Sequence, residues 1–269
     1  MPKPIEQAPT SHWPEYLIEA AGLGFFMISA CLFTVLLHHP ASSVKLALPS
    51  PFLRTALTGL AMGLTLICIV YSPWGKRSGA HLNPAFTLTF LRLGKVAPKD
   101  ALFYVGAHFV GGLAGVGISA LLLGEWIRDP AVNFAVTVPG PAGAGTAFLA
   151  ELGISFLLMT MVLISTNTPG IARFTGLFAG TLVATYITFE SPLSGMSMNP
   201  ARTLASALPA WLFPSLWVYF TAPLVGMLLA AEVFVRIKGL RGVHCAKLHH
   251  DNSQRCIFRC TYGEMSARR

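Results

Sequence analysis

Six long runs of apolar residues dominate the chain, at roughly 16–38, 53–72, 100–123, 146–165, 170–189 and 216–237. Each approaches or exceeds the roughly 20 residues that a helix needs to cross a bilayer. The runs are continuous rather than alternating, and lipid cannot satisfy open backbone groups, so they predict spanning helices and not strands. Two shorter stretches, 85–93 and 201–208, cannot cross, and each follows an Asn-Pro pair. Asn suits the cap and Pro the first helical position, which predicts two half-helices with abrupt starts.

The pattern repeats. Ser78-Gly79-Ala80-His81-Leu82-Asn83-Pro84-Ala85 returns as Ser194-Gly195-Met196-Ser197-Met198-Asn199-Pro200-Ala201, and Glu19 near the start of the first run has its counterpart in Glu151 near the start of the fourth. Each half then holds three spans with a half-helix after the second. Three is odd, so the halves insert with opposite orientation, and the two half-helices enter from opposite sides with their N-termini meeting near mid-membrane. The expected fold class is an all-α membrane protein, with six transmembrane helices, two half-helices and an inverted internal repeat. Its expected divisions are an N-terminal segment 1–12, a membrane domain 13–240 with repeats at about 13–123 and 146–238, and a basic tail 241–269.

Composition supports this reading. The 269 residues are 54% hydrophobic and 11% charged, with mean hydropathy +0.61, whereas soluble domains carry about 25% charged residues. The net charge of +8 sits in loops and tail, as membrane topology demands, and not on an aromatic-lined face that would bind nucleic acid. With both termini inside, only Lys45, Arg54, Arg128 and Arg202 remain outside, so the positive-inside rule predicts a multi-pass cell-membrane protein with cytoplasmic ends. The polar start lacks a signal-peptide pattern, and no cleaved leader is expected.

A helix N-terminus carries unpaired N–H groups and about half a positive charge. Two such ends facing each other set a barrier to cations and protons but not to neutral dipoles. The amides of Asn83 and Asn199 would donate to a passing oxygen. The carbonyls of Gly79, Ala80, His81, Gly195, Met196 and Ser197 would line the path as acceptors, and Arg202 would border it. Glu19 and Glu151 read as buried acceptors for the two loops, His81 as a loop brace at the inner mouth, and His108 as a core contact to a loop. No nucleophile–base pair, phosphate loop or span-embedded metal set points to an enzyme. A secondary transporter would also use inverted repeats, but the spans offer no Asp for coupling ions. A non-transporting scaffold of the same fold would have no need of Asn83, Asn199 and Arg202.

On these residues the chain resembles the major intrinsic protein family, the aquaporins and glycerol facilitators, over roughly residues 12–240. Small-residue faces at Gly59/Gly63, Gly111/Gly115 and Gly176/Gly180 agree with it. The resemblance implies a homotetramer with a pore in each protomer, and passive transport of water and small neutral solutes without a required cofactor. Glycerol facilitators place Asp after the second-turn Arg. Thr203 there, Ala207 and the pair Tyr219-Phe220 look like the water-channel branch. The constriction that the family implies falls on Ile187, Met196 and Arg202, with Met62 if one extra residue is allowed and Gly63 otherwise. That ring is less polar than the water-specific one, so glycerol and hydrogen peroxide join water as candidate solutes.

The tail adds a separate chemistry. His244, Cys245, His249, His250, Cys256 and Cys260 combine thiolate and imidazole and suit zinc or another transition metal. Their spacing matches no standard finger, and a flexible basic extension is the competing expectation. Cys31 and Cys68, within apolar runs, read as small hydrophobes.

Overall fold

The computed structural model describes residues 12–263. The expected N-terminal segment 1–12 lies outside them except for His12, as does the end of the tail. Among the described residues the chain is helical with no strand. Its elements are α1 (Trp13–His38), α2 (Ser43–Ala47), α3 (Pro51–Tyr71), α4 (Pro73–Ser78), α5 (Pro84–Arg92), α6 (Pro98–Leu123), α7 (Gly143–Thr166), α8 (Thr175–Phe189), α9 (Ser191–Ser194), α10 (Pro200–Ala210) and α11 (Leu216–Lys238).

Five of these, α1, α3, α6, α7 and α11, are long and apolar enough to cross a membrane. The fifth expected span is a correction: α8 has 15 residues, or roughly 22 Å of rise. A 3-10 turn at Ala172–Phe174 precedes it, and α9 follows it after Glu190. The segment is thus a short helix preceded by a 3-10 turn and followed by one further turn of α-helix.

The two halves mirror each other in their contacts. Helix α1 packs along α6 and α7 along α11, while α3 and α8 pack on each other across the centre. Small residues set these distances. A methyl group at Gly63 would fall on the carbonyl oxygen of Gly180, one at Gly111 on that of Ala20, and one at Gly226 on that of Leu152. Backbones this close are typical of helices associating without a hydrophobic driving force between them. Each half-helix reaches into the other half, α5 against α11 and α10 against α6.

The outer surface is apolar. Leu17, Leu102, Leu121, Leu122, Leu149 and Phe189 all stand exposed, which suits lipid and not water. All five Trp residues lie exposed near helix ends. Trp13 and Trp74 mark one side of the bundle, and Trp126, Trp211 and Trp217 the other. Such belts form where an amphipathic ring meets the headgroups.

The start of α1, the ends of α4 and α5, the end of α7 and the tail share one side of the bundle. Glu15 accepts from Arg77 Nε at 2.9 Å, and Asp100 accepts from Tyr16 OH at 2.6 Å. The tail's Arg259 N–H donates to Lys95 O at 2.9 Å, and its His244 N–H to Asn167 Oδ1 at 2.7 Å. The tail is therefore packed and not loose: Cys245, Ala246, Lys247, Leu248 and Phe258 are all buried.

Candidate functional site

Two loops, 79–83 and 195–199, meet inside the bundle. Each starts at a left-handed glycine that ends a short helix, Gly79 after α4 and Gly195 after α9. The chain then visits the left-handed region again at Ala80 and Leu82 in one loop and at Met196 and Met198 in the other, with φ between 52° and 56°. Non-glycine residues rarely adopt this conformation, which costs roughly 1–2 kcal/mol each.

A buried carboxylate holds each loop in that shape. Glu19 accepts from the N–H groups of His81 at 3.1 Å and Leu82 at 2.7 Å, and from His108 Nε2 at 2.8 Å. His108 thus touches the carboxylate and not the loop itself, which corrects the expectation for it. Glu151 accepts from Ser197 N at 2.6 Å, Met198 N at 2.7 Å and Ser194 Oγ at 2.8 Å. The parallel extends to Tyr104 OH on Ser78 O at 2.7 Å and Tyr219 OH on Ser194 O at 2.6 Å. Drawing backbone N–H groups inward turns the opposite, carbonyl side of each loop toward the cavity.

The half-helices begin where the loops end. Asn83 Oδ1 caps α5 by accepting from Ala85 N at 2.9 Å, and Asn199 Oδ1 caps α10 from Ala201 N at 3.0 Å and Arg202 N at 3.2 Å. Their amides then cross over: Asn83 Nδ2 donates to Met198 O at 2.6 Å, and Asn199 Nδ2 to Leu82 O at 2.7 Å. The two helix N-termini are bolted together, tip to tip. Each amide keeps one further N–H, and both Asn residues border the cavity.

That cavity runs along the bundle. His38, Thr58 and Ala131 border it at one end, and His81, Phe86 and the tail residue Leu248 at the other. Met62, Ile187, Met196 and Arg202 all line it. Met62, not Gly63, faces inward, because Gly63 is taken up by the contact with α8. The Arg202 Nη1 is buried with no hydrogen-bond partner among the described residues, beside the apolar side chains of Met62, Ile187 and Met196.

Ala80, His81, Gly195 and Ser197 also line the cavity as expected residues. Gly79 does not, and this is a correction: its carbonyl accepts the Leu248 N–H at 3.2 Å. His81 is held on both ring nitrogens. Ala246 O can only accept, so Nε2 donates to it at 2.9 Å, which leaves Nδ1 to accept from Thr87 Oγ1 at 2.9 Å. Residue-type reasoning did not pick out Leu82 and Met198, because their role lies in carbonyls aimed at the opposite Asn. Nor did it pick out Leu248, whose approach no local pattern signals.

A model of the family described as Major intrinsic protein matches residues 6–234. The chain belongs to that family. It is 35% identical over 177 residues to Aquaporin NIP6-1 of Arabidopsis thaliana, covering 65% of this chain and 56% of that protein. It is 34% identical over 180 residues to Aquaporin NIP2-2 of Zea mays, covering 66% and 59%. The matched part thus spans under two thirds of the length of these curated relatives. The fold is similar to the X-ray structure of the aquaglyceroporin from Plasmodium falciparum, with TM-score 0.69 and 20% identity, covering 84% of this chain and 97% of that one.

The family match ends before the tail, where the candidate metal residues divide. Ligand atoms of Cys245, His250, Cys256 and Cys260 all lie within 4.8 Å of one another. His244 and His249 are corrections. His244 Nδ1 turns to Thr261 Oγ1 at 3.3 Å, and the His249 ring packs edge-on against Tyr71 at 4.9 Å. Within the cluster, hydrogen bonds from Cys245 and Cys256 hold the Cys260 thiol well below its ordinary value, while the bond to Cys256 pushes Cys245 well above it. Burial pulls the His250 imidazole down, but its bonds to Cys256 and Cys260 outweigh that and push it up to about 9.

Proposed function

We propose that the protein is a passive transmembrane pore for water and small neutral solutes, closed to ions and protons. The observation that carries this reading is the reciprocal tie of Asn83 to Met198 O and Asn199 to Leu82 O beside a continuous cavity. It sets two helix N-termini against each other at the middle of the path. A cation there meets two positive dipole ends and the Arg202 charge, while a neutral solute finds amide donors and loop carbonyls in turn. The tail side faces the cytoplasm on the distribution of Lys and Arg, and the family supports a homotetramer with one such pore per protomer. Passive passage of this kind calls for no cofactor and no catalytic step.

The solute range follows from the wall. Met62, Ile187 and Met196 put three apolar side chains opposite one cation. This supports admission of solutes with both apolar and hydroxyl faces, such as glycerol or hydrogen peroxide, beside water. The printed names of the similar proteins, aquaporins and an aquaglyceroporin, agree with both readings. A secondary transporter is the weaker alternative, since the cavity lining holds no Asp or Glu among the described residues to couple an ion.

Stopped-flow light scattering on proteoliposomes tests the proposal under sucrose, glycerol and urea gradients. Because the tail covers one mouth, both the full chain and a chain ending at Lys238 are to be measured. Water and glycerol flux that tracks the gradient, with no proton leak, is the expected result. Accumulation against a gradient would replace the pore with a transporter.

A further inference from the structure

The tail beyond the family match combines two features: a compact set of metal-binding side chains, and a surface pressed into the tail-side mouth of the cavity. We infer that Cys245, His250, Cys256 and Cys260 bind a zinc ion whose coordination folds the tail into a plug over that mouth. The gating half of this inference rests on the pore reading above, and the metal half does not.

The donor set comes first. Three thiols and one imidazole, from positions spaced Cys-x4-His-x5-Cys-x3-Cys, converge from non-helical backbone. Three Cys and one His is a common structural zinc set, tetrahedral and closed to other ligands. The Sγ atoms of Cys245 and Cys256 lie 3.6 Å apart. Two sulfurs each about 2.3 Å from a shared tetrahedral zinc stand about 3.8 Å apart, whereas a disulfide closes to about 2.05 Å. His250 Nε2 lies 3.0 Å from Cys260 Sγ, and the ring is stacked on Tyr262 at 4.3 Å, which fixes its direction. The N–H of Tyr262 points at Cys260 Sγ at 3.4 Å, an outer-shell contact of the kind that orients metal ligands.

Charge also fits. Three thiolates and a neutral imidazole on Zn²⁺ leave one net negative charge. The buried Lys247 is in electrostatic reach of all three cysteines. Its Nζ donates to Gln254 O at 3.3 Å and Arg255 O at 2.7 Å, tying the segment that carries His250 to the segment that carries Cys256. Without a central ion, so short a segment has little apolar core of its own, because its buried side chains pack on the bundle.

The plug follows from what this fold presents to the mouth. The Phe258 ring lies stacked on His81, centroids 5.2 Å apart and planes within 7°. Ala246 O accepts a hydrogen bond from His81 Nε2–H, Leu248 N–H donates to Gly79 O, and Leu248 borders the end of the cavity. Phe258 sits midway between Cys256 and Cys260, and Ala246 and Leu248 lie between Cys245 and His250. Every residue that meets the mouth is thus held between two metal ligands. Removing the ion frees these segments together and lets the mouth open.

The test begins with full-length protein purified in detergent under reducing conditions and analysed for metal. One zinc per protomer, lost in Cys256→Ser combined with Cys260→Ser, is the expected result. Metal-free protein, or protein with a Cys245–Cys256 disulfide, overturns the site. In vesicles, stripping zinc from full-length protein with a permeant chelator is expected to raise water permeability several-fold, and added zinc to reverse it. Phe258→Ala keeps all four ligands and is expected to retain zinc yet conduct several-fold faster. A chain ending at Lys238 should conduct whatever the zinc level. Equal permeability with and without zinc, beside an open truncated chain, overturns the plug. Silence from every chain instead overturns the pore reading and the plug with it, while the metal count still judges the zinc site.

Discussion

Glu151 shows how much of the site depends on single acceptors. Its carboxylate receives two backbone N–H groups and one hydroxyl from a loop that would otherwise leave them buried and unpaired. Hydrogen bonds to a charged group are worth about 1.5–3 kcal/mol each, so Glu151→Ala is expected to cost on the order of 3 kcal/mol or more. Thermal unfolding in detergent measures it, and a variant as stable as the parent would show that the loop holds its shape without the carboxylate. Ile187 acts on passage instead. It shares the cavity wall with Met62, Met196 and Arg202, so Ile187→Trp is expected to cut water permeability several-fold and glycerol permeability further. Unchanged flux would move the selective step elsewhere along the path. The family resemblance placed the apolar ring at Ile187 and Met196, where the count runs without gaps back from Asn199. At the Met62/Gly63 pair the count was ambiguous, and packing resolved it: glycine is needed at 63 for the approach to α8, which leaves Met62 to face inward.

At the scale of elements, hydropathy found the spans and Asn-Pro found the half-helices because both signals are local. An apolar run needs no partner to be recognised, and a cap with a following proline states where a helix begins. The shortness of α8 was not legible, since the apolar run begins in residues that the fold spends on the 3-10 turn at Ala172–Phe174. The tail was read least well. His249 and His250 are neighbours, as are His244 and Cys245, and in non-helical backbone neighbouring side chains point to opposite sides. One of each pair enters the thiol cluster and the other turns away from it, His249 to Tyr71 of α3 and His244 to Thr261, a choice that composition cannot make. The seam between α3 and α8 yields a prediction at this scale. Gly63 and Gly59 meet the backbone of α8 at Gly180 and Ala184, so Gly63→Leu forces two main chains apart and is expected to destabilise the bundle by roughly 1–3 kcal/mol. Detergent melting curves would record the loss, and Leu60→Ala, on an exposed position of the same helix, should leave stability within about 0.5 kcal/mol.

For the whole molecule, the question is whether the inverted halves move against each other. Transporters built on inverted repeats work by rocking one part against another around a central site. Here three seams resist such motion. The α3–α8 contact brings main chains together across the pseudo-twofold, each half-helix is embedded in the opposite half, and the two Asn residues tie the loops across the centre. Rocking would break all three at once, including the two Asn–carbonyl hydrogen bonds. On the proposed pore reading, the path conducts without conformational cycling once its tail-side mouth is clear. A chain ending at Lys238 is accordingly expected to pass water with a temperature dependence close to that of diffusion in bulk water, at a rate linear in the osmotic gradient and equal in both directions. Stopped-flow measurements over a range of temperatures and inverted gradients check this. A steep temperature dependence, or a rate that saturates with solute, would mean that the seams open in every cycle and that the tie between Asn83 and Asn199 is a closed state and not the conducting one.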